Sequence, residues 1–268
     1  MRSSEEIEIG RDITPTFTPL SFSLHNSHLN THCSTCFSPL PTPFSSIPAP
    51  IPNPSFYCSP SCSAALSTLH HSSAETHLPP SSHSSHLRTA LRLLCSHRPS
   101  PSLRLAGLLS NRRILTSHHH DHVSESIRLG AAAMAQAIAH QRGVPNDDAV
   151  LEEATIALCA VLTNAVEVHD NEGRALGIAV FDPTFSWINH SCSPNACYRF
   201  ILSSPTSSSY SNESQLLRIA PHPQVNYSFF FYFAMLFFAC PDHDCVLQMG
   251  SGGICVGSDE FAKGGYCC

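Results

Sequence analysis

Residues 177–200 read Gly-Ile-Ala-Val-Phe-Asp-Pro-Thr-Phe-Ser-Trp-Ile-Asn-His-Ser-Cys-Ser-Pro-Asn-Ala-Cys-Tyr-Arg-Phe. From Ala175 to Phe181 the chain is apolar, and Asp182-Pro183 follows, the pattern of a short strand entering a turn. Trp187, the only tryptophan, precedes a polar run that holds Asn189, His190, Ser191, Cys192 and Asn195. Asn189 offers donor and acceptor together, and His190 can titrate or bind a metal. On residues alone this is either a polar site beside a strand or an ordinary Asn/Ser/Pro turn, and the turn is the plainer of the two.

Upstream of this stretch the pattern is helical from about 87 to 170. Leu87, Leu91 and Leu94 recur at helical spacing, and Leu103, Leu105, Leu108 and Leu109 continue it after a Pro-Ser break. Ile127, Ala131, Met134 and Ile138 form a second apolar stripe. Leu151, Ala154, Leu158, Val161, Leu162 and Ala165 form a third. Pro145-Asn146-Asp147-Asp148 with Glu152 and Glu153 predicts the start of that last helix, its carboxylates at the positive end of the dipole. Gly173 closes the region. Between the helices lies His118-His119-His120-Asp121-His122, which reads as a solvated loop before it reads as a chelate. Residues 5–24 look like short extended segments around a turn, with Ile7, Ile9 and Ile13 apolar and Gly10 able to take a positive φ.

Residues 25–86 are dominated by Ser, Pro, His and Cys. Pro39, Pro41, Pro43, Pro48, Pro50, Pro52 and Pro54 exclude a helix there and predict a loop or polyproline-like linker. Two cysteine pairs bracket it, Cys33-x₂-Cys36 and Cys58-x₃-Cys62, with 21 residues between them. Two close pairs on tight turns are what a tetrahedral structural zinc site requires. The alternative is four unrelated thiols in a low-complexity stretch, and the pair spacing favours zinc. The segment has few apolar residues of its own, so a metal would supply its order.

The whole chain has 268 residues, 42% hydrophobic and only 13% charged, with a formal net charge of −6. One Lys, Lys263, accompanies thirteen Arg, and the net charge argues against a basic nucleic-acid-binding face. Collagen, coiled coil and a polytopic membrane protein are excluded. Met1 to Glu6 lacks the apolar core of a secretory signal, so the expected compartment is reducing and its cysteines are metal ligands or buried thiols. From Val225 the sequence changes in kind. Phe229 to Cys240 is an apolar run of about a dozen residues, short of the roughly 20 that a membrane span needs. The remainder is Gly-rich and featureless, and no helical or strand period joins the tail to what precedes it.

Asn189-His190-Ser191-Cys192-Ser193-Pro194-Asn195 matches the N-H-S-C-x-P-N signature of SET domains, and Phe181 to Ile188 resembles the approach to it in the subclass that also carries a MYND finger. Glu5 to Ile13 resembles that family's early strand pair. The cysteine pairs fall where the subclass inserts its finger, and residues 87–170 fall where it has a helical insertion. The resemblance implies an α+β fold of SET-type small strands, a helical insertion and a zinc-ordered, Pro/Ser-rich loop. Its divisions are 1–24, the amino-terminal strands; 25–86, the MYND-like zinc loop and linker; 87–170, the insertion; 171–224, the SET core with the motif; and 225–268, a tail foreign to the family.

The resemblance further implies a protein-lysine methyltransferase of the histone-modifying type that uses S-adenosylmethionine and works in nucleus or cytoplasm, with no direct nucleic-acid or membrane partner. Asn189 and His190 would contact that cofactor. Cys33, Cys36, Cys58 and Cys62 would hold one zinc, and Cys192 would join post-SET cysteines around a further one. Departures from the pattern are as informative. The finger's middle cysteine pair is replaced by Pro and Ser. The Gly-x-Gly cofactor loop would fall upstream of Arg2. Nothing after Asn195 matches the family's Gly-Glu-Glu motif leading to a Ser-Tyr pair, Tyr227 is no substitute, and the C-x-C-x₂-C post-SET spacing is missing. The expectation is an incomplete SET protein, with no catalytic residue assigned and the tail arising from read-through or altered splicing. The rival expectation is a non-enzymatic, zinc-dependent interaction module whose Pro-rich segment binds partner peptides.

Overall fold

In a computed structural model the described residues are 17–40, 56–67, 72–79, 84–97, 99, 104–117, 121–143, 145, 147–186, 197–202, 218–222, 245–250 and 253–258. In chain order the strands are β1 (Ser21–Leu24), β2 (Arg104–Leu105), β3 (Leu108–Leu109), β4 (Ala165–His169), β5 (Ala175–Val180), β6 (Cys197–Ile201), β7 (Arg218–His222), β8 (Cys245–Gly250) and β9 (Gly253–Ser258). The helices are α1 (Pro60–Ser67), α2 (Ser72–Glu75), α3 (Ser85–Ser96), α4 (Arg112–Leu115), α5 (Asp121–Arg142), α6 (Asp148–Asn164) and α7 (Pro183–Ser186). Helices with small antiparallel sheets make an α+β architecture. Among the described residues, no helix is long and apolar enough to cross a membrane.

The central sheet has the order β1-β5-β4, antiparallel throughout. Leu176 to Phe181 is buried at every position because both faces of β5 are covered. Ile178 and Val180 pack against α3, α5 and α6, while Ala179 and Phe181 join an aromatic cluster with Phe17, Phe22, Phe37 and Phe185. β4 and β5 are joined by a tight turn in which the Asp170 carboxylate accepts from the Glu172 and Arg174 amides, both at 2.9 Å, and Gly173 takes φ +79°.

The three long helices form where the leucine and alanine stripes predict them. Ser84 caps α3 by accepting from the Leu87 amide at 3.1 Å, and Asp147 caps α6 by accepting from Val150 at 2.8 Å. Gly130 lets α5 approach closely: a Cβ there would lie 2.9 Å from the Leu158 side chain and 3.1 Å from Leu87.

Four local expectations are corrected. Leu105, Leu108 and Leu109 do not continue a helix; they lie on the β2–β3 hairpin, with Ala106 at φ +51° and Gly107 at φ +83° making its turn. The third helix stops at Asn164, so Ala165 opens β4, whose alternation of valines with polar residues suits a half-exposed strand. Within 25–86 the chain is not loop throughout, because α1 and α2 form beyond the proline run and α1 starts on Pro60, which a first helical turn tolerates. The Gly-rich end is not featureless, since β8 and β9 pair as a hairpin.

Helix α3 is fastened to β1 by two buried guanidiniums. Arg88 donates to the Ser23 hydroxyl at 2.9 Å, the Asn26 side-chain carbonyl at 2.8 Å and the Leu24 carbonyl at 2.6 Å. Arg92 donates to Glu75 at 2.5 Å and to the Phe22 carbonyl at 2.7 Å, which brings α2 onto the same seam. Both arginines are under 5% exposed, so each N–H left unpaired would cost the full desolvation penalty. Burial of Arg88 among neutral acceptors lowers its pKa to about 10. Breaking the Arg92–Glu75 pair with Glu75→Ala is expected to destabilise the protein by about 3–5 kcal/mol, whereas the double replacement E75M/R92M recovers only part of that loss, because it leaves the Phe22 carbonyl without its donor. Urea unfolding of the three proteins checks both.

Candidate metal centre

The first cysteine pair sits on a closed turn. His32 and Pro39 pair as an isolated bridge, the Leu40 amide donates to the Thr31 carbonyl at 2.8 Å, and the Cys33 amide donates to Ser38 at 2.9 Å. The Phe37 amide returns to the Cys33 carbonyl at 3.0 Å, with Phe37 itself at φ +60°. The second pair is placed by a helix start. Ser59 accepts from the Cys62 amide at 3.2 Å through its hydroxyl and from the Ser63 amide at 3.1 Å through its carbonyl. The C-x₃-C spacing therefore sets Cys58 just before α1 and Cys62 in its first turn. Two cross-links join the halves: the Ser34 amide donates to Phe56 at 2.8 Å, and the Thr35 hydroxyl donates to the Cys62 carbonyl at 2.7 Å.

As a result, the sulfurs of Cys33, Cys36, Cys58 and Cys62 all lie within 4.8 Å of one another. The Cys58 sulfur is 3.5 Å from that of Cys36 and 3.5 Å from that of Cys62. A tetrahedral zinc with Zn–S of about 2.3 Å would separate its sulfurs by ~3.8 Å, so the set could hold such an ion with small adjustments. Cys33, Cys36 and Cys62 are buried and Cys58 half-buried, with Leu40, Phe56 and Tyr57 packed around them. None of the four is in a disulfide. A hydrogen bond from Cys36 holds the Cys33 thiol down at about 4, and the same bond pushes Cys36 upward. Burial pushes Cys62 up to about 12. Without a cation, one thiolate suppresses the ionisation of its neighbours; a bound divalent ion would reverse that by stabilising all four as thiolates.

The four cysteines named from the sequence are thus brought together. Asn189, His190 and Cys192 lie outside the described residues, as do Glu5 to Ile13, His118 to His120, Tyr227 and Phe229 to Cys240.

A second polar cluster lies where β1 and β4 meet the start of α3, and no spacing in the sequence signals it. His25 Nδ1 is 3.1 Å from the Ser85 hydroxyl, and its Nε2 is 3.9 Å from one Glu167 oxygen. The other Glu167 oxygen is 3.6 Å from His169 Nε2. Burial lowers the pKa of His25, an effect that Glu167 opposes and His28, Arg88 and His169 reinforce. Burial, then His25, lowers His86 to about 4, against the opposing pull of Glu167.

No family model matches the chain. Comparison with individual proteins supports a SET domain protein. Over 204 residues the chain is 43% identical to the protein SET DOMAIN GROUP 41 of Arabidopsis thaliana, an alignment covering 75% of this chain and 34% of the relative. The chain therefore spans about a third of the length of the curated relative it matches. The α+β architecture is observed here; the SET fold itself is inferred from that homology.

Two measurements follow from the depressed imidazoles. With a folded value of about 4 against an unfolded 6.5, His86 takes up its proton in the unfolded chain first. Its contribution to stability is therefore complete above pH 6.5 and is lost as pH falls towards 4, and His25 acts with the same sign. Urea midpoints taken from pH 7 to 4 are expected to fall steadily in the parent and less steeply in H86N.

Proposed function

We propose that the chain is part of a protein-lysine methyltransferase that takes its methyl group from S-adenosylmethionine, with Asn189 and His190 at the cofactor and one zinc on Cys33, Cys36, Cys58 and Cys62. The observation that carries the reading is the identity to a SET domain protein across three quarters of the chain, together with the intact Asn189–Asn195 signature. S-adenosylmethionine supplies an electrophilic methyl on sulfonium, which passes in line to a neutral lysine amine. The protein's share of such a reaction is alignment and exclusion of water. On this reading residues 1–24 and 171–224 make the catalytic core, 25–86 the zinc loop and 87–170 the insertion. The substrate is a lysine on a protein, histones being the class to try first, and the setting is nucleus or cytoplasm.

Zinc has the clearest support, because four sulfurs at ligand spacing in a mostly buried pocket suit a soft-ligand tetrahedral ion. Thiol modification of the purified chain in the presence of a colorimetric zinc indicator is expected to release one zinc per chain. C33S and C62S are expected to release none. Transfer is tested with labelled S-adenosylmethionine and histones. No Gly-Glu-Glu motif leading to a Ser-Tyr pair follows Asn195, so the 268-residue chain is expected to transfer little label. Strong transfer that N189A abolishes would make this polypeptide a complete enzyme, and strong transfer that N189A leaves intact would remove the assignment of the motif.

A further inference from the structure

We infer that Phe37 is a wedge through which metal occupancy of the cysteine cluster governs the pairing of β1 with β5. The inference rests on the zinc reading above and adds a regulatory consequence to it.

Phe37 immediately follows Cys36, and its amide closes the turn onto Cys33. Its backbone sits at φ +60°, a region that side chains bearing a Cβ avoid, so the turn must be held from outside. The ring, fully buried, leaves the cysteine loop and enters the sheet. It meets Phe22 of β1 edge to face, with centroids 5.7 Å apart. It also covers Gly177, the β5 residue paired with Leu24. A Cβ at Gly177 would lie 3.0 Å from the Phe37 ring, 2.3 Å from the Ser23 carbonyl and 2.8 Å from the Leu24 Cα. The missing side chain is therefore what lets β1, β5 and the wedge meet at one point.

The consequence follows from what braces the turn. A metal on Cys33 and Cys36 clamps the two ends of the loop that forces Phe37 into its left-handed conformation. Without the clamp the loop relaxes, the ring withdraws, and the groove over Gly177 is left without its filling. β1 is only four residues long and lies at the edge of the sheet, so losing the ring weakens its hold on β5 even while Arg88 and Arg92 still tie it to α3. Phe181 and Phe185 belong to the same aromatic cluster as Phe37 and stand directly before the polar signature.

Amide hydrogen exchange on the full chain, with zinc and after chelation, tests the inference. Chelation is expected to reduce protection of 21–24 and 176–180 by roughly tenfold or more while α5 and α6 stay protected. F37A is expected to bind one zinc, to show the lowered protection even with metal, and to lose nothing more on chelation. F37L, which keeps part of the wedge, is expected to fall between and serves if F37A does not fold. Zinc that leaves without any change at 21–24 and 176–180 would overturn the coupling while sparing the zinc assignment. A chain that binds no zinc would overturn both, and the two failures are told apart by the indicator reading.

Discussion

A strand covered on both faces can carry no polar side chain, and β5 sets the terms for everything around it. Leu176 to Phe181 is buried without a break, helices on one side and aromatic rings on the other. Each neighbour must therefore bring an apolar surface to β5 and direct its polar groups elsewhere. The helices do so with leucine and alanine stripes. The cysteine loop does so with one ring, Phe37, and Gly177 leaves the space for it.

The edge strand β1 creates the opposite problem, since its outer carbonyls need donors. A chain with so few charged residues answers it with Arg88 and Arg92, which reach across from α3 to the Leu24 and Phe22 carbonyls. Guanidinium suits this task because it offers several donors in a fixed plane and stays charged when buried. Glu75 balances one of the two, and Arg88 relies on neutral oxygens alone among its hydrogen-bond acceptors. The helical layer and the sheet are thus joined by polar bonds at one end and apolar packing at the other.

The cysteine centre is built by backbone geometry more than by packing. A bridge between His32 and Pro39, a helix start at Ser59 and two cross-bonds bring four sulfurs to ligand distance, with few apolar residues around them. That is the situation in which an ion contributes folding energy directly. Because the same loop inserts Phe37 into the aromatic cluster, the centre is continuous with the sheet and is not a separate finger on a linker.

Much of this was legible from the amino acids alone. Helical stripes at 87–94, 127–138 and 151–162, the apolar strand before Asp182-Pro183, and the paired cysteines each follow from local chemistry. The kinship read from residues 189–195 rests instead on resemblance, since on local chemistry alone that run is a plain turn. What sequence could not determine were features that depend on partners distant in the chain. Leu105 and Leu108 have helical spacing, yet a turn at Ala106-Gly107 and a core beneath them make a hairpin. Ala165 continues a helical stripe, yet β5 offers it a strand to pair with. Arg88, Arg92 and His25 carry no spacing signal, because each finds its partner on another element, 17 or more positions away in the chain. The sequence by itself determined which segments were apolar, which would turn and which thiols came in pairs, since those are properties of neighbours. Only the tertiary structure decided which buried charge meets which carbonyl and which ring fills the absent side chain of Gly177, since those depend on where distant segments come to rest.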